Sequence, residues 1–378
     1  MARAASPHTR PCVASARGTA EDVLDALALA FAASRPALVL VFASDGQMLV
    51  PLTGGLSRWF GPGCRVLGCS SAGGFAFDGY ADDGVVAVAF PALAFRAEAL
   101  WLSNLRRHMA LDWMVALRNM AERLPQMPGQ SRFGLMLIDG MSGREELVTT
   151  TVDATLPDLL VLGGSAGDGL RFGQTHLAMD GESRPESALF CLIATDFAIE
   201  EVVFDHFVPV GQKMVVTSAD PDNRLIHEIN GEPAALEYAR LIGVDAANLG
   251  PRAFAENPLL ERSAGRHVVR AISGVGEGGT LSLMSAVQTG AILTIGRPES
   301  LTEGLRHRME EIGQAELVLG FDCILRRIAV EQAGEQETVG RLCRDYRIAG
   351  FNTYGEQHGG THVNQTFVGL AFLDRGPP

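Results

Sequence analysis

Lysine is almost missing from this 378-residue chain: Lys213 stands alone, and every other strongly basic side chain is arginine. A mechanism needing a Schiff-base or phosphate-cradling lysine has that one candidate, and it lies on no recognisable motif. The arginines form no stripe able to neutralise phosphates, and 31 Lys+Arg against 44 Asp+Glu give a formal charge of −13. General nucleic-acid binding is therefore not expected. Long hydrophobic runs are missing too. Ala37–Ala43 and its like fall far short of the roughly 18 apolar residues that a bilayer span requires, so no membrane partner is expected. Cysteines 12, 64, 69, 191, 323 and 343 are scattered without zinc-ribbon or redox spacing, which fits a reducing, cytoplasmic compartment. No apolar signal core accompanies Arg3, Arg10 and Arg17, and residues 1–19 are expected to be a disordered tail. What remains is a globular composition, 47% apolar and 20% charged, on a chain longer than one core usually organises.

The positive signal is repetition. An apolar run ending near Asp, a helix-like stretch, a second apolar run entering a small-residue turn, and further strands recur three times. The copies begin at Leu38–Asp45, Leu135–Asp139 and Leu317–Asp322; their second runs are Val66–Gly74, Val161–Asp168 and Ile348–Tyr354; they close with Val85–Phe90, Ala188–Ile193 and Thr366–Phe372. The spacing suits one β-α-β unit each. Between copies two and three, Phe197–Ile295 alternates β-branched residues around one helix-like stretch, Pro233–Leu241, and reads as a mainly antiparallel sheet inserted into the repeat. The expected class is α/β (α+β), with mixed sheets flanked by helices and a domain boundary near residue 200.

Several motifs suggest chemistry. Gly163-x-Ser165-x-Gly167 matches a nucleophile elbow, with His176 as base and Asp168 or Asp139 orienting it, but Leu170–Leu177 reads as a strand where the elbow needs a helix. A Gly-rich binding turn suits it better, since small residues let a ligand approach main-chain amides. Gly274-x-Gly276-x-x-Gly279 runs into a strand and reads as a hairpin rather than a dinucleotide site. His358-x-x-x-His362 lacks partner cysteines for a structural zinc, although His362 and His176 remain candidate metal ligands. Arg144, beside Asp139, Glu145 and Glu146 at a helix start, offers a fork of donors for a carboxylate, while the acids suit capping.

The motifs Leu67–Gly73, Ile138–Glu146, Gly163–Asp168 through Asp180-Gly181, Ile229–Ala234 with Tyr238, Gly350–Glu356 and Val363–Thr366 together resemble the FIST family across about residues 20–373. The resemblance implies a FIST N region over 20–200 and a FIST C region over 201–378. It further implies a bacterial cytoplasmic sensor, not an enzyme, that binds a small ligand and signals to a separate chain, with a homodimer among its allowed assemblies. Similarity to NosP-like members implies haem b, nitric oxide as the signal and a histidine kinase partner. On that reading His176 is the first choice of axial ligand and His362 the second, with His206 and His267 as outsiders. Phe172, Phe351 and Phe367 would form the apolar slot, Arg171 or Arg144 would meet the propionates, and Gly164 and Ser165 would line the turn. The alternatives are a sensor of an amino acid or small carboxylate held by Arg144 and main-chain amides, and a serine hydrolase using Ser165.

Overall fold

The computed structural model describes residues 8–107, 109–263 and 266–375. The first repeat comprises β1 (Cys12–Ala16), α1 (Ala20–Phe31), β2 (Pro36–Ala43), α2 (Leu49–Phe60), β3 (Arg65–Ser70), the hairpin β4 (Gly74–Ala76) and β5 (Gly79–Ala81), and β6 (Val85–Pro91). The second comprises β7 (Phe95–Ser103), α3 (Ala110–Arg123), β8 (Ser131–Ile138), α4 (Glu145–Thr155), β9 (Leu160–Ser165), the hairpin β10 (Leu177–Met179) and β11 (Glu182–Ser183), and β12 (Ser187–Thr195). After β13 (Ala198–Asp205) comes the insertion: β14 (Phe207–Asp220), β15 (Leu225–Ile229), β16 (Glu232–Pro233), α5 (Ala234–Ile242), α6 (Pro251–Glu256), β17 (Leu259–Ser263), β18 (Arg266–Arg270), β19 (Ile272–Val275), β20 (Leu281–Leu283) and β21 (Ile292–Pro298). The third repeat is α7 (Glu303–Ile312), β22 (Leu317–Cys323), α8 (Ile324–Ala333), α9 (Gln336–Asp345), β23 (Ile348–Thr353), the hairpin β24 (Glu356–His358) and β25 (Thr361–Val363), and β26 (Thr366–Leu373).

The three expected copies are real. In each, two strands pair in parallel across a helical crossover (β2 with β3, β8 with β9, β22 with β23), and the first of them also pairs antiparallel with the closing strand β6, β12 or β26. These strands read as unbroken apolar runs because both of their faces are buried. Leu38, Leu40 and Phe42 point into a central core, while Val39, Val41 and Ala43 face α1 and α2. Phe133, Leu135 and Leu137 enter the same central core, as do Leu317, Leu319 and Phe321, while Ile138 and Val318 turn outward beneath helices. The alternation follows from the two-residue period of a strand.

The hairpins do not stay with their own copy. β4 pairs with β23 of the third repeat, β10 with β3 of the first, and β24 with β9 of the second. The flanking strands, by contrast, pair within their own copies: β1 joins β6, β7 joins β12, and β13 joins β26. The result is three six-stranded sheets that exchange strands in a closed cycle, with the insertion forming a separate eight-stranded antiparallel sheet.

Two expectations are corrected here. Within the stretch expected to be a disordered tail, Cys12–Ala16 is a strand, paired residue by residue with Ala89–Val85; residues 1–7 lie outside the described residues. Thr19 then caps α1 by accepting the Asp22 amide at 3.3 Å, while the Asp22 carboxylate accepts the Thr19 amide at 3.1 Å, a reciprocal box. Secondly, Ala198–Asp205 does not open the inserted sheet but completes the sheet of the third repeat, because Val202 packs with Phe367 and Ala371.

Candidate functional site

At the carboxyl ends of the parallel strands the three small-residue turns meet. Ala72 N–H donates to the Asn352 carbonyl at 2.9 Å, Gly167 N–H to Ser70 at 3.0 Å, Ser165 N–H to Gly355 at 2.8 Å and Tyr354 N–H to Ser165 at 3.2 Å. Ser70 N–H donates to His176, and Ala166 N–H to Ile138, both at 2.8 Å. The amides expected to cradle a ligand are thus spent on holding the repeats together. Gly167 is required by that approach: a Cβ there would sit 2.9 Å from the Ala72 nitrogen. Gly164 lies in register with Glu356 of the exchanged hairpin, again as a close-packing position.

The turns differ in length. Three residues separate β3 from β4 and two separate β23 from β24, but eleven separate β9 from β10. That long connection is organised by Asp168, whose buried carboxylate accepts the amides of Phe172 at 2.9 Å, Gly173 at 3.0 Å and Gln174 at 2.9 Å, and the Tyr354 hydroxyl. Burial pushes the Asp168 carboxyl up, but the tyrosine and the three amides outweigh it and hold it below the ordinary aspartate value. Tyr354 is pushed up to about 12 by burial and by its bond to Asp168. Phe172 stacks on Tyr354 with ring centroids 4.5 Å apart and carries a left-handed backbone, φ 49°, strained for a residue with a Cβ.

Arg171, on this connection, is largely exposed, with its Nε 3.9 Å from Asp168. It helps to line a cavity of about 550 Å³ together with Arg17, Ser44, Asp45, Met48 and Asp83, at the carboxyl end of β2. The His176 ring packs beside Gly46, at the helical turn next to this cavity, and its amide donates to Ser70 Oγ at 2.9 Å. Arg17 was hidden in the presumed tail. Only the unexpected strand β1 delivers it to the cavity.

The remaining candidates lie elsewhere. Arg144 stands at the start of α4, with its Nη1 3.8 Å from the exposed Asp222, and Asp139 accepts the Met141 amide at 3.0 Å and the Thr175 hydroxyl at 2.5 Å. Asp139 thus serves local structure, while Arg144 makes one long contact with an aspartate that is itself exposed. Ser165 is fully buried, and its Oγ accepts from Gln357 Nε2 at 2.8 Å; no bond joins it to His176, so the Ser-His pairing of a hydrolase is not assembled. His362 is buried beside Gln357, and burial holds it below the ordinary histidine value despite Glu145 and Glu146 nearby. Burial raises Glu146, yet His362, Arg224 and the Ala286 amide bring it down to about 2. Arg224 in turn bonds Glu145 at 2.6 Å and Glu146 at 2.8 Å, tying the inserted sheet to α4.

A haem needs an apolar slot beside an axial histidine. The three phenylalanines named for it do not form one. Phe351 is stacked on Phe42 at 4.5 Å and edge-on to Phe321, Phe367 packs on Phe75, and both fill the core, whereas Phe172 is exposed and stacks on Tyr354. His362 sits among Glu146, Arg224 and Arg270 rather than apolar rings. The glycine fingerprint at 274–279 is a hairpin between β19 and β20, as its sequence suggests.

Among the described residues no helix is long and apolar enough to cross a membrane. Comparison with curated proteins gives no match. Two family models do match, the FIST N domain over residues 37–232 and the FIST C domain over 234–358. FIST domains are sensory domains that bind small ligands in signal transduction. With the N-terminal model alone spanning more than half of the sequence, and the repeats, turns and exchanged hairpins all lying within the matched stretch or beside it, the chain belongs to the FIST family.

Proposed function

We propose that this FIST protein senses a small zwitterion or carboxylate, such as an amino acid, in the cavity shared by Arg17, Asp45, Asp83 and Arg171, and passes its occupancy to a separate signalling chain of the histidine-kinase class. The observation that carries this reading is the charge arrangement of the cavity. Two arginines and two aspartates from different elements line one space of about 550 Å³, within the usual range for small-molecule sites. Guanidinium groups suit a ligand carboxylate, and the aspartates suit an ammonium group. Arg171 takes the carboxylate-binding role in this reading because it lines the cavity, whereas Arg144 does not.

The cavity brings together the turn after β1, the turn after β2, the connection between β5 and β6, and the long connection of the second repeat. A ligand there would be held by segments that converge only in the folded chain. Thermal unfolding with a panel of amino acids and dicarboxylates tests the reading. A binder at a hundredfold excess over its Kd adds about 2.7 kcal/mol to stability. The expected result is stabilisation by one chemical class, lost in Arg17→Ser and Arg171→Ser; stabilisation untouched by both substitutions would overturn the site. The partner is tested by histidine-kinase autophosphorylation with and without the bound ligand.

A further inference from the structure

A second cavity, of about 860 Å³, lies between the hairpin β4–β5 and helices α8 and α9 and shares no lining residue with the first. Its floor is Arg327. The side chain is only 8% exposed, its Nε donates to Glu331 at 2.8 Å, and its face lies 5.1 Å from the Tyr80 ring centroid. Nη1 reaches the Ala72 carbonyl at 3.4 Å and Asn352 Oδ1 at 3.3 Å, the pair of turns where the first and third repeats meet. The outward nitrogen, Nη2, is taken by Asp82.

Asp82 is an unusual partner for so buried a cation. Its side chain is 78% exposed and stands on the three-residue connection between β5 and β6, so it reaches in from solvent. On the rim, Arg341 pairs at 3.2 Å with Glu337, which is 87% exposed, and such surface pairs are weak. Arg344 has no partner among the described residues, and Asp78 and Glu337 offset the two rim arginines.

We propose that this cavity is a second ligand site, for a molecule bearing a carboxylate or phosphate group that takes the place of Asp82 on Arg327 and is gripped from the rim by Arg341 and Arg344. The exchange replaces one anion by another, so Glu331, Asp78 and Glu337 need not move. Asp82 acts as a tethered competitor that keeps the buried guanidinium paired when no ligand is bound. Because the other edge of Arg327 holds Ala72 and Asn352, binding reports directly on the contact between the first and third repeats.

The test is calorimetric titration of the full chain with inorganic phosphate and with citrate, at constant ionic strength set by sodium chloride, for the native protein, Asp82→Asn and the exposed pair Arg341→Ser/Arg344→Ser. Removing a tethered competitor raises the binding-competent fraction, and Asp82→Asn is expected to tighten binding about tenfold. The rim substitutions are expected to weaken it about fivefold or more, since they remove charge-assisted bonds, while leaving unliganded Tm unchanged. Binding of citrate alone identifies a carboxylate ligand, and binding of phosphate alone a phosphorylated one. No saturable binding by Asp82→Asn, or binding indifferent to the rim arginines, would overturn the proposal. Binding abolished by Arg171→Ser would also overturn it, by assigning the effect to the first cavity.

Discussion

The turns of the second and third repeats are equivalent in the fold and opposite in chemistry. Each carries a buried carboxylate just beyond its parallel strand. Asp168 receives three backbone amides and a phenol and is held below its ordinary value. Glu356, fully buried, is met by the hydroxyls of Thr353 and Thr366 and one amide, with Asp322 as its charged neighbour. Burial raises it to about 8, the threonine bonds only moderating the effect. Glu356 is enclosed completely and desolvation wins there, whereas Asp168 keeps an edge towards solvent and has one more donor, so hydrogen bonding wins. The charged acid organises an eleven-residue connection; the neutral one opens β24 just after a two-residue turn and can be covered without a counter-ion.

The largest expected effect exploits this contrast. Because Glu356 is raised from 4.5 to about 8, the folded state holds a proton that the unfolded chain releases; its contribution is complete below pH 4.5 and is lost as pH rises through about 8. Stability should fall by on the order of 5 kcal/mol across that window, and Glu356→Gln should flatten the profile in urea titrations at a series of pH values. Asp168 behaves in the opposite sense, its contribution present above the ordinary aspartate value and lost on acidification. Asp168→Ala, which strips the partners of Tyr354 and three amides, should cost about 2–3 kcal/mol and raise hydrogen exchange at residues 169–175 selectively. Uniform exchange across the repeats would erase the distinction between the two turns.

Smaller effects sharpen it further. Gly167→Ala places a methyl group 2.9 Å from the Ala72 nitrogen and should destabilise by roughly 1–3 kcal/mol, measurable as a lower urea midpoint with unchanged slope. Phe172→Gly relieves a left-handed backbone but removes the stack on Tyr354; the two oppose, and the net change should be within about 1 kcal/mol. A large loss would mean that the stack, rather than Asp168, holds the connection.

The apolar runs announced the three repeats because strands buried on both faces leave a continuous signature, as in Leu38–Ala43 and Leu317–Phe321. The motifs at 163–168 and 350–356 read as small-residue turns, but their meeting depends on main-chain bonds between repeats that local sequence does not encode. The exchange of hairpins left no such trace. Whether Gly74-Phe75 pairs with its own repeat or with Gly350-Phe351 is decided by long-range packing, to which a three-residue strand contributes no periodicity. Arg17 was obscured because a five-residue strand of small residues, Cys12–Ala16, looks like a polar tail. Phe351 and Phe367 looked available for a ligand because sequence gives their hydrophobicity but not the rings they already meet, Phe42 and Phe75.

The strand exchange also governs how the chain can be made. The first hairpin, complete by Ala81, waits for β23, which begins at Ile348, and β13 waits for β26, which ends at Leu373. During synthesis the early repeats must therefore persist with unpaired edges until nearly the whole chain has emerged. Pairings of such sequence separation fold slowly and leave strand edges open to the wrong neighbour. Cooperative closure follows from the same wiring, since no repeat can leave the ring without taking a hairpin from one neighbour's sheet and leaving the other neighbour's hairpin unpaired.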